Sequence, residues 1–407
     1  MNSILTRLLK AKNYEKMSLD ELIDEYIALY AKNAQSNFND LLSELMIFLE
    51  KYDQNISPET VESIFASKIA SSSMSAVPSS AVLIPLIYEK SMIEGVIAPK
   101  VTAQFGAADE RAISALEKRM MWVGNDSSTR TQEKLKSIFA DVYEGKYTHD
   151  ELMQALRENF TQYADMEVQK LKVAADFNLR QGRNLGTLSR AIEQGDTYVQ
   201  IVAKMDGKTT NVCRSMHLRV IKVSTLKKQF DAIVNATSVD AAKEASNLSF
   251  SKIGVWSKEV PPNFGLPPFH MGCRTIVRQM SADQVERMTL DEFGREYEIL
   301  DKKTYNKIKD KKDHLGASKA KSVEALMKET LGSIAKEGVH AGDQTKRTIL
   351  GDNGFTAILD KNGKIETLFK AGRGLDYFHD NASEVYYDKL DIAYRSIGQR
   401  VKKWLGL

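Results

Sequence analysis

The only two cysteines of this 407-residue chain lie in two short clusters that each also hold a histidine, and these clusters constrain the middle of the fold more than any other feature. The first reads Asp206, Gly207, Lys208, Thr209, Thr210, then Cys213, Arg214 and His217. The second is a Pro-rich run over 261–269 that includes Phe264, Gly265 and Phe269, followed by His270, Cys273 and Arg274. Cys-x3-His and His-x2-Cys each let one short turn of backbone aim two ligands at one point. Together the halves supply the four ligands of a tetrahedral zinc ion: Cys213, His217, His270 and Cys273. Two other readings stand beside it, a packed and reduced Cys/His cluster and a Cys213–Cys273 disulfide. Four protein ligands would leave no open position, so a metal held this way is a structural staple.

Around the clusters the hydrophobic period changes. Residues 1–70 read as helices: Ser18 and Glu21 form a capping box ahead of Leu22, Ile23, Tyr26, Ile27 and Tyr30, a second helix starts near Phe38, and Ser57-Pro58-Glu59 opens a third. Residues 71–99 begin with a serine-rich linker and continue as an apolar segment broken by Pro85, Gly95 and Pro99. Helical spacing returns over 112–122, 131–143, 162–178 and 185–193, with Thr148 and Glu151 capping another helix. The period then drops to two, predicting strands over 197–203, 218–223 and 275–278, with a helical surface excursion over 225–247. Residues 283–322 are polar, with Lys311, Lys312, Lys319 and Lys321, and read as a basic linker. Residues 323–407 read as a small separate domain. It has a helix over 323–337, a hairpin of 355–359 with 364–369 across Asp360-Lys361-Asn362-Gly363, and a helix over 383–405. The expected class is α+β: a mostly helical N-terminal half, a small antiparallel sheet holding the Cys/His cluster over 100–282, and a small α+β C-terminal domain.

Several functions are excluded by what the sequence lacks. A net charge of +3 with 27% charged residues does not by itself call for nucleic acid. The longest apolar run, 81–88, contains Pro85 and is too short to span a bilayer. Residues 1–12 have no continuous apolar core of a signal peptide, so a reducing compartment is expected. There is no Gly-rich phosphate loop, HExxH helix, GxSxG elbow or deaminase motif. Cys/His catalytic dyads can be drawn from Cys273 with His217 or Cys213 with His270. Each cysteine, however, already has a histidine close in sequence, which is the pattern of co-ligands. No enzyme activity is expected of this region.

The order Asp206-x2-Thr209-x3-Cys213-Arg214, an intervening strand, then His270-x2-Cys273-Arg274 resembles the signature of the phage head morphogenesis family, the MuF-type minor capsid proteins of tailed phages. The helical approach over 167–178, Arg183, and Gly195-Asp196-Thr197-Tyr198 is similar too, so the resemblance covers roughly residues 100–280. One departure is His217-Leu218, where the family continues into a small Asp-Gly or Asn-Gly turn; His217 is thus no family feature. The resemblance implies a minor head protein, made in the host cytoplasm and built into the virion. It would associate with the portal and other procapsid components and be released with the DNA. Arg214 and Arg274 would hold neighbouring loops, through carbonyls and Asp206, rather than bind substrate. Two rivals remain. The C-terminal region loosely resembles the metal-independent ribonuclease toxins fused behind MuF-type domains, with His340 and His379 as acid and base near Arg347. Alternatively, the lysines of 301–321 make this a DNA-binding internal capsid protein.

Overall fold

The computed structural model describes residues 17–51, 57–74, 77–93, 106–143, 148–248, 254–261 and 263–391. It is α+β, and the chain divides into two compact units that are both discontinuous in sequence. The first comprises 1–190, 230–246 and the four residues 270–273; the second comprises 191–229, 247–269 and 274–407.

The first unit is helical: α1 (Leu19–Lys51), α2 (Pro58–Met74), α3 (Val77–Ile93), α4 (Ala107–Tyr143), α5 (His149–Ala155) and α6 (Thr161–Glu193). The expected start signals hold. Ser18 and Glu21 bond reciprocally ahead of α1, α2 begins at Pro58, and Thr148 with Glu151 closes a capping box on α5. Helices expected as separate pieces are continuous: α1 runs on past Phe38, α4 through 123–130 and α6 through 179–184, with no proline in any of them. Of the expected linker, 71–74 extends α2 and 77–80 opens α3, which runs through Pro85, while residues 75–76 lie outside the described residues. The apolar stretch beyond Ile93 lies outside the described residues.

Buried polar groups lock these helices together. Tyr88 donates to Asp109 (2.8 Å), and the fully buried Glu167 accepts from Arg130 (2.8 Å) and Ser127 (3.1 Å). A side chain at Gly186 would sit 2.7 Å from the Tyr88 carbonyl, so the residue permits close approach of α6 to α3. Arg119 donates to the Ile233 carbonyl (2.7 Å), joining α4 to the later 230–246 segment of this unit.

The second unit contains two sheets. The smaller has the order β2-β1-β3, all antiparallel, from β1 (Tyr198–Val202), β2 (Val220–Lys222) and β3 (Ile276–Met280). These are the three strands expected from the alternation. Between β1 and β2 lies a short helix, α7 (Asn211–Met216). The 225–247 stretch is helical as expected, in α8 (Val223–Val234) and α9 (Val239–Ala245). Its first half is no surface excursion, since Leu226, Gln229, Phe230 and Ile233 of α8 are buried, whereas α9, in the 230–246 segment of the first unit, buries only Ala242.

The larger sheet has seven strands in the order β10-β6-β7-β8-β9-β5-β4. They are β4 (Thr289–Leu290), β5 (Glu296–Ile299), β6 (Ile334–His340), β7 (Arg347–Gly351), β8 (Phe355–Leu359), β9 (Lys364–Lys370) and β10 (Ala382–Asp388). Helices α10 (Ala282–Glu286), α11 (Lys302–Asp310), α12 (Val323–Leu331) and α13 (Leu375–Asn381) connect them. Three expectations are corrected here. Residues 283–322 are no linker, because β5 pairs in parallel with β9 and so ties this stretch into the sheet. Helix α12 stops at Leu331, where Gly332 and Ser333 interrupt it, and the chain continues as β6. The stretch from 383 begins as strand β10, with Tyr386 and Tyr387 buried; the rest of the expected helix, beyond 391, lies outside the described residues. The described part of the expected C-terminal domain, 323–391, clusters with 274–322 and with β1 and β2 in one compact unit. The 355–370 hairpin forms as read, with Asp360 Oδ1 accepting from the amides of Asn362 and Lys364 (both 2.8 Å) and Gly363 at φ 78°.

Candidate metal centre

Strand β1 ends in a tight loop built around Asp206. Its amide donates to Thr209 Oγ1 (2.8 Å), its Oδ1 accepts from the Lys208 amide (2.9 Å), and Thr209 Oγ1 donates to the Lys204 carbonyl (2.7 Å). This Asx-type loop sets the start of α7 and hence the position of Cys213. Arg274, one residue past Cys273, grips the Asp206 carboxylate with both terminal nitrogens at 2.7 and 2.8 Å. Those hydrogen bonds hold the Asp206 carboxyl well below the usual carboxylate range. Arg214 donates through Nε to the Thr209 carbonyl (3.1 Å) and through Nη2 to the Asp206 carbonyl (3.0 Å), with its guanidinium 5.6 Å from the Tyr386 ring centroid. Both arginines thus hold loops, the role expected of them.

This lacing joins the two halves of the signature across sixty-eight residues, from Asp206 to Arg274. Cys213, His270 and Cys273 converge, their ligand atoms all within 4.8 Å of one another. Both cysteines are buried and neither is in a disulfide, which removes that alternative. The 270–273 turn follows Phe269 directly and leads through Arg274 and Thr275 into β3. Cys273 N–H donates back to the His270 carbonyl (3.2 Å), and Gly272 takes φ 71°.

The protonation pattern suits a metal. His270 Nδ1 lies 2.8 Å from the Met271 carbonyl, which can only accept, so Nδ1 carries the proton and Nε2 the lone pair. Thr275 Oγ1 donates to Cys213 Sγ (3.2 Å), which fixes the direction of that sulfur. Two thiolates and one oriented imidazole form a donor set for zinc. Sequence reasoning missed Thr275; its only signal was its place two residues after Cys273, at the start of a strand.

His217 is not part of the group. Its Nδ1 accepts from the Ala203 amide (3.1 Å), and its Nε2 donates to the Lys361 carbonyl (2.7 Å), so both ring nitrogens are committed to backbone. The spacing from Cys213 was compatible with ligation, but a carbonyl 144 residues away claims the ring. Among the described residues the ligand set is Cys213, His270 and Cys273, so a tetrahedral metal held there would keep one position for a donor other than these three. Burial, followed by the nearby Arg347, pushes the His217 pKa down to about 3. The unfolded chain takes up this proton below about pH 6.5 and the folded chain does not, so stability falls as pH drops through that window. The expected loss is on the order of 4 kcal/mol by pH 3. Asp206, whose folded pKa is depressed, loses its contribution only below about pH 4. Urea midpoints followed between pH 7 and 4 should thus slope downward in the wild type and flatten in His217→Gln; parallel curves would count against this assignment.

The residues proposed for a ribonuclease site are placed differently. Arg347 is 1% exposed and its Nη1 lies 3.4 Å from Glu337 Oε1, inside the core of the seven-stranded sheet. It is not available to a substrate. His340 Nδ1 is bonded to Thr348 Oγ1 (3.0 Å) at the end of β6, and His379 is exposed on α13, its ring edge-on to Phe378. What the sheet does enclose is an ionic core. Glu337 accepts from Arg295 (3.1 and 2.8 Å) and Tyr386 (2.8 Å), while Asp291 accepts from Arg295 Nε (2.7 Å).

No protein-family model, curated protein or solved structure matches this chain. Among the described residues no helix is long and apolar enough to cross a membrane.

Proposed function

We propose that the chain is a MuF-type minor head protein of a tailed phage, a portal-associated morphogenetic component, in which Cys213, His270 and Cys273 hold a structural zinc ion. The observation that supports this reading is the convergence of both signature halves on one hub, with Asp206 clamped by Arg274 and the three soft ligands within 4.8 Å. A hub that ties loops to loops, with Arg274 on a carboxylate and Arg214 Nε and Nη2 on two carbonyls, suits a protein whose work is to be a durable part. Zinc would supply a cross-link between α7 and the 270–273 turn, its fourth position going to water or an outside donor.

The test is co-expression with the cognate portal protein, followed by pull-down of the portal and mass spectrometry of purified virions. The chain should co-purify with the portal and appear in the particle. Arg274→Ala, which unclamps Asp206, should reduce recovery on the portal at equal expression. A wild-type chain absent from both portal complexes and particles would overturn the proposal.

A further inference from the structure

Residues 302–321 contain eight lysines against two aspartates, an excess of six positive charges in a chain whose total excess is three. Everything outside this stretch is therefore net acidic, and the basic character is local. It is also ordered. Asp301 caps α11 by accepting from the Thr304 amide (2.7 Å), and Thr304 and Ile308 turn inward while Lys302, Lys303, Lys307 and Lys309 are exposed. Lys311, Lys312, Lys319 and Lys321 follow directly in the chain and are exposed as well, so the basic surface extends beyond α11. Lys370 joins it from β9, where its amide donates to the Asp313 carbonyl (2.6 Å). None of these nine lysines makes an ion pair among the described residues.

We propose that this face binds the phosphate backbone of duplex nucleic acid, an activity independent of the metal and portal readings. Four-residue spacing on a helix places Lys303 and Lys307 about 6 Å apart, on the scale of two phosphates of one strand at about 3.4 Å of axis each. Lysines are point charges without the fork that reads guanine, so binding is independent of base sequence. An anionic bilayer fits less well. Ile308 is fully buried and Tyr305 half-buried, leaving no apolar side chain on the lysine face of α11 to enter a membrane.

The experiment is fluorescence anisotropy of a labelled DNA duplex titrated with the full chain across a salt series. Lys303→Ala/Lys307→Ala/Lys311→Ala is compared with Lys204→Ala/Lys222→Ala/Lys243→Ala, an exposed triple elsewhere, and folding is checked by circular dichroism. The first triple should lower the slope of log affinity against log salt by about three and weaken binding at least about tenfold at moderate salt. The second should change neither. Absence of wild-type binding at low salt, or equal loss in both triples, would overturn the proposal. So would wild-type binding to phosphatidylserine vesicles without binding to the duplex.

Discussion

Replacing Glu337 with alanine should destabilise the second unit by about 3–5 kcal/mol, a loss read as a lower urea midpoint with unchanged slope. Glu337 and the Arg295 side chain are both fully excluded from solvent, and Arg347 and Tyr386 reach the same carboxylate. Burial alone would raise the Glu337 pKa. Arg295 and Arg347 outweigh it, and the carboxyl is held below the usual range. Removing the carboxylate leaves Arg295 with Asp291 alone and strands Arg347, whose Nε already lacks a hydrogen-bond partner. The cost is that of uncompensated buried charge rather than of one lost contact. Glu337→Gln keeps acceptor and shape but removes charge, so it should fall between wild type and alanine. A cost below about 1 kcal/mol for alanine would mean that water reaches this core.

The second large effect concerns metal. Purified chain should contain one zinc, and Cys273→Ala should contain none and melt earlier. Where ligand is a thousandfold above its dissociation constant, binding contributes about 4 kcal/mol, which chelator should remove from the wild type and leave unchanged in Cys273→Ala. His217→Ala should keep its zinc, because both nitrogens of that ring are bonded to backbone. A zinc lost equally in His217→Ala would restore it as a ligand. Well-folded wild type without metal would reassign the three residues to packing.

Local signals in the sequence were read correctly where local chemistry decides. The caps at Ser18 and Thr148 and the Asp-Lys-Asn-Gly turn each rest on residues within four positions of one another. The three strands around the signature followed from alternation, and the Asp206, Arg214 and Arg274 roles from their places in it. What failed depends on distant partners. Residues 296–299 gave no hint of a parallel pairing with 364–365, and 283–322 looked like a linker because of its exposed lysines, although Phe293, Arg295, Tyr297 and Ile308 are all buried once the sheet forms. Arg295 and Glu337 carry no local signal of burial, and Arg347, read as the basic residue of a ribonuclease site, is instead enclosed with them by the sheet. The fourth metal ligand failed for the same reason: spacing limits what a side chain can reach, but Lys361 decides what His217 does reach.

The interleaving of the two units has a consequence for synthesis on the ribosome. Arg119 waits for the carbonyl of Ile233, Gln181 for Ser246, and β1 for a partner strand that begins at Ile276. Neither unit can be completed as its own stretch of polypeptide emerges, so nascent helices from the first 190 residues must persist half-buried until nearly three hundred have been made. A fragment ending at Arg190 is then an arrested intermediate, expected to bind chaperones and aggregate, and limited truncation from either end is a poor route to an isolated domain.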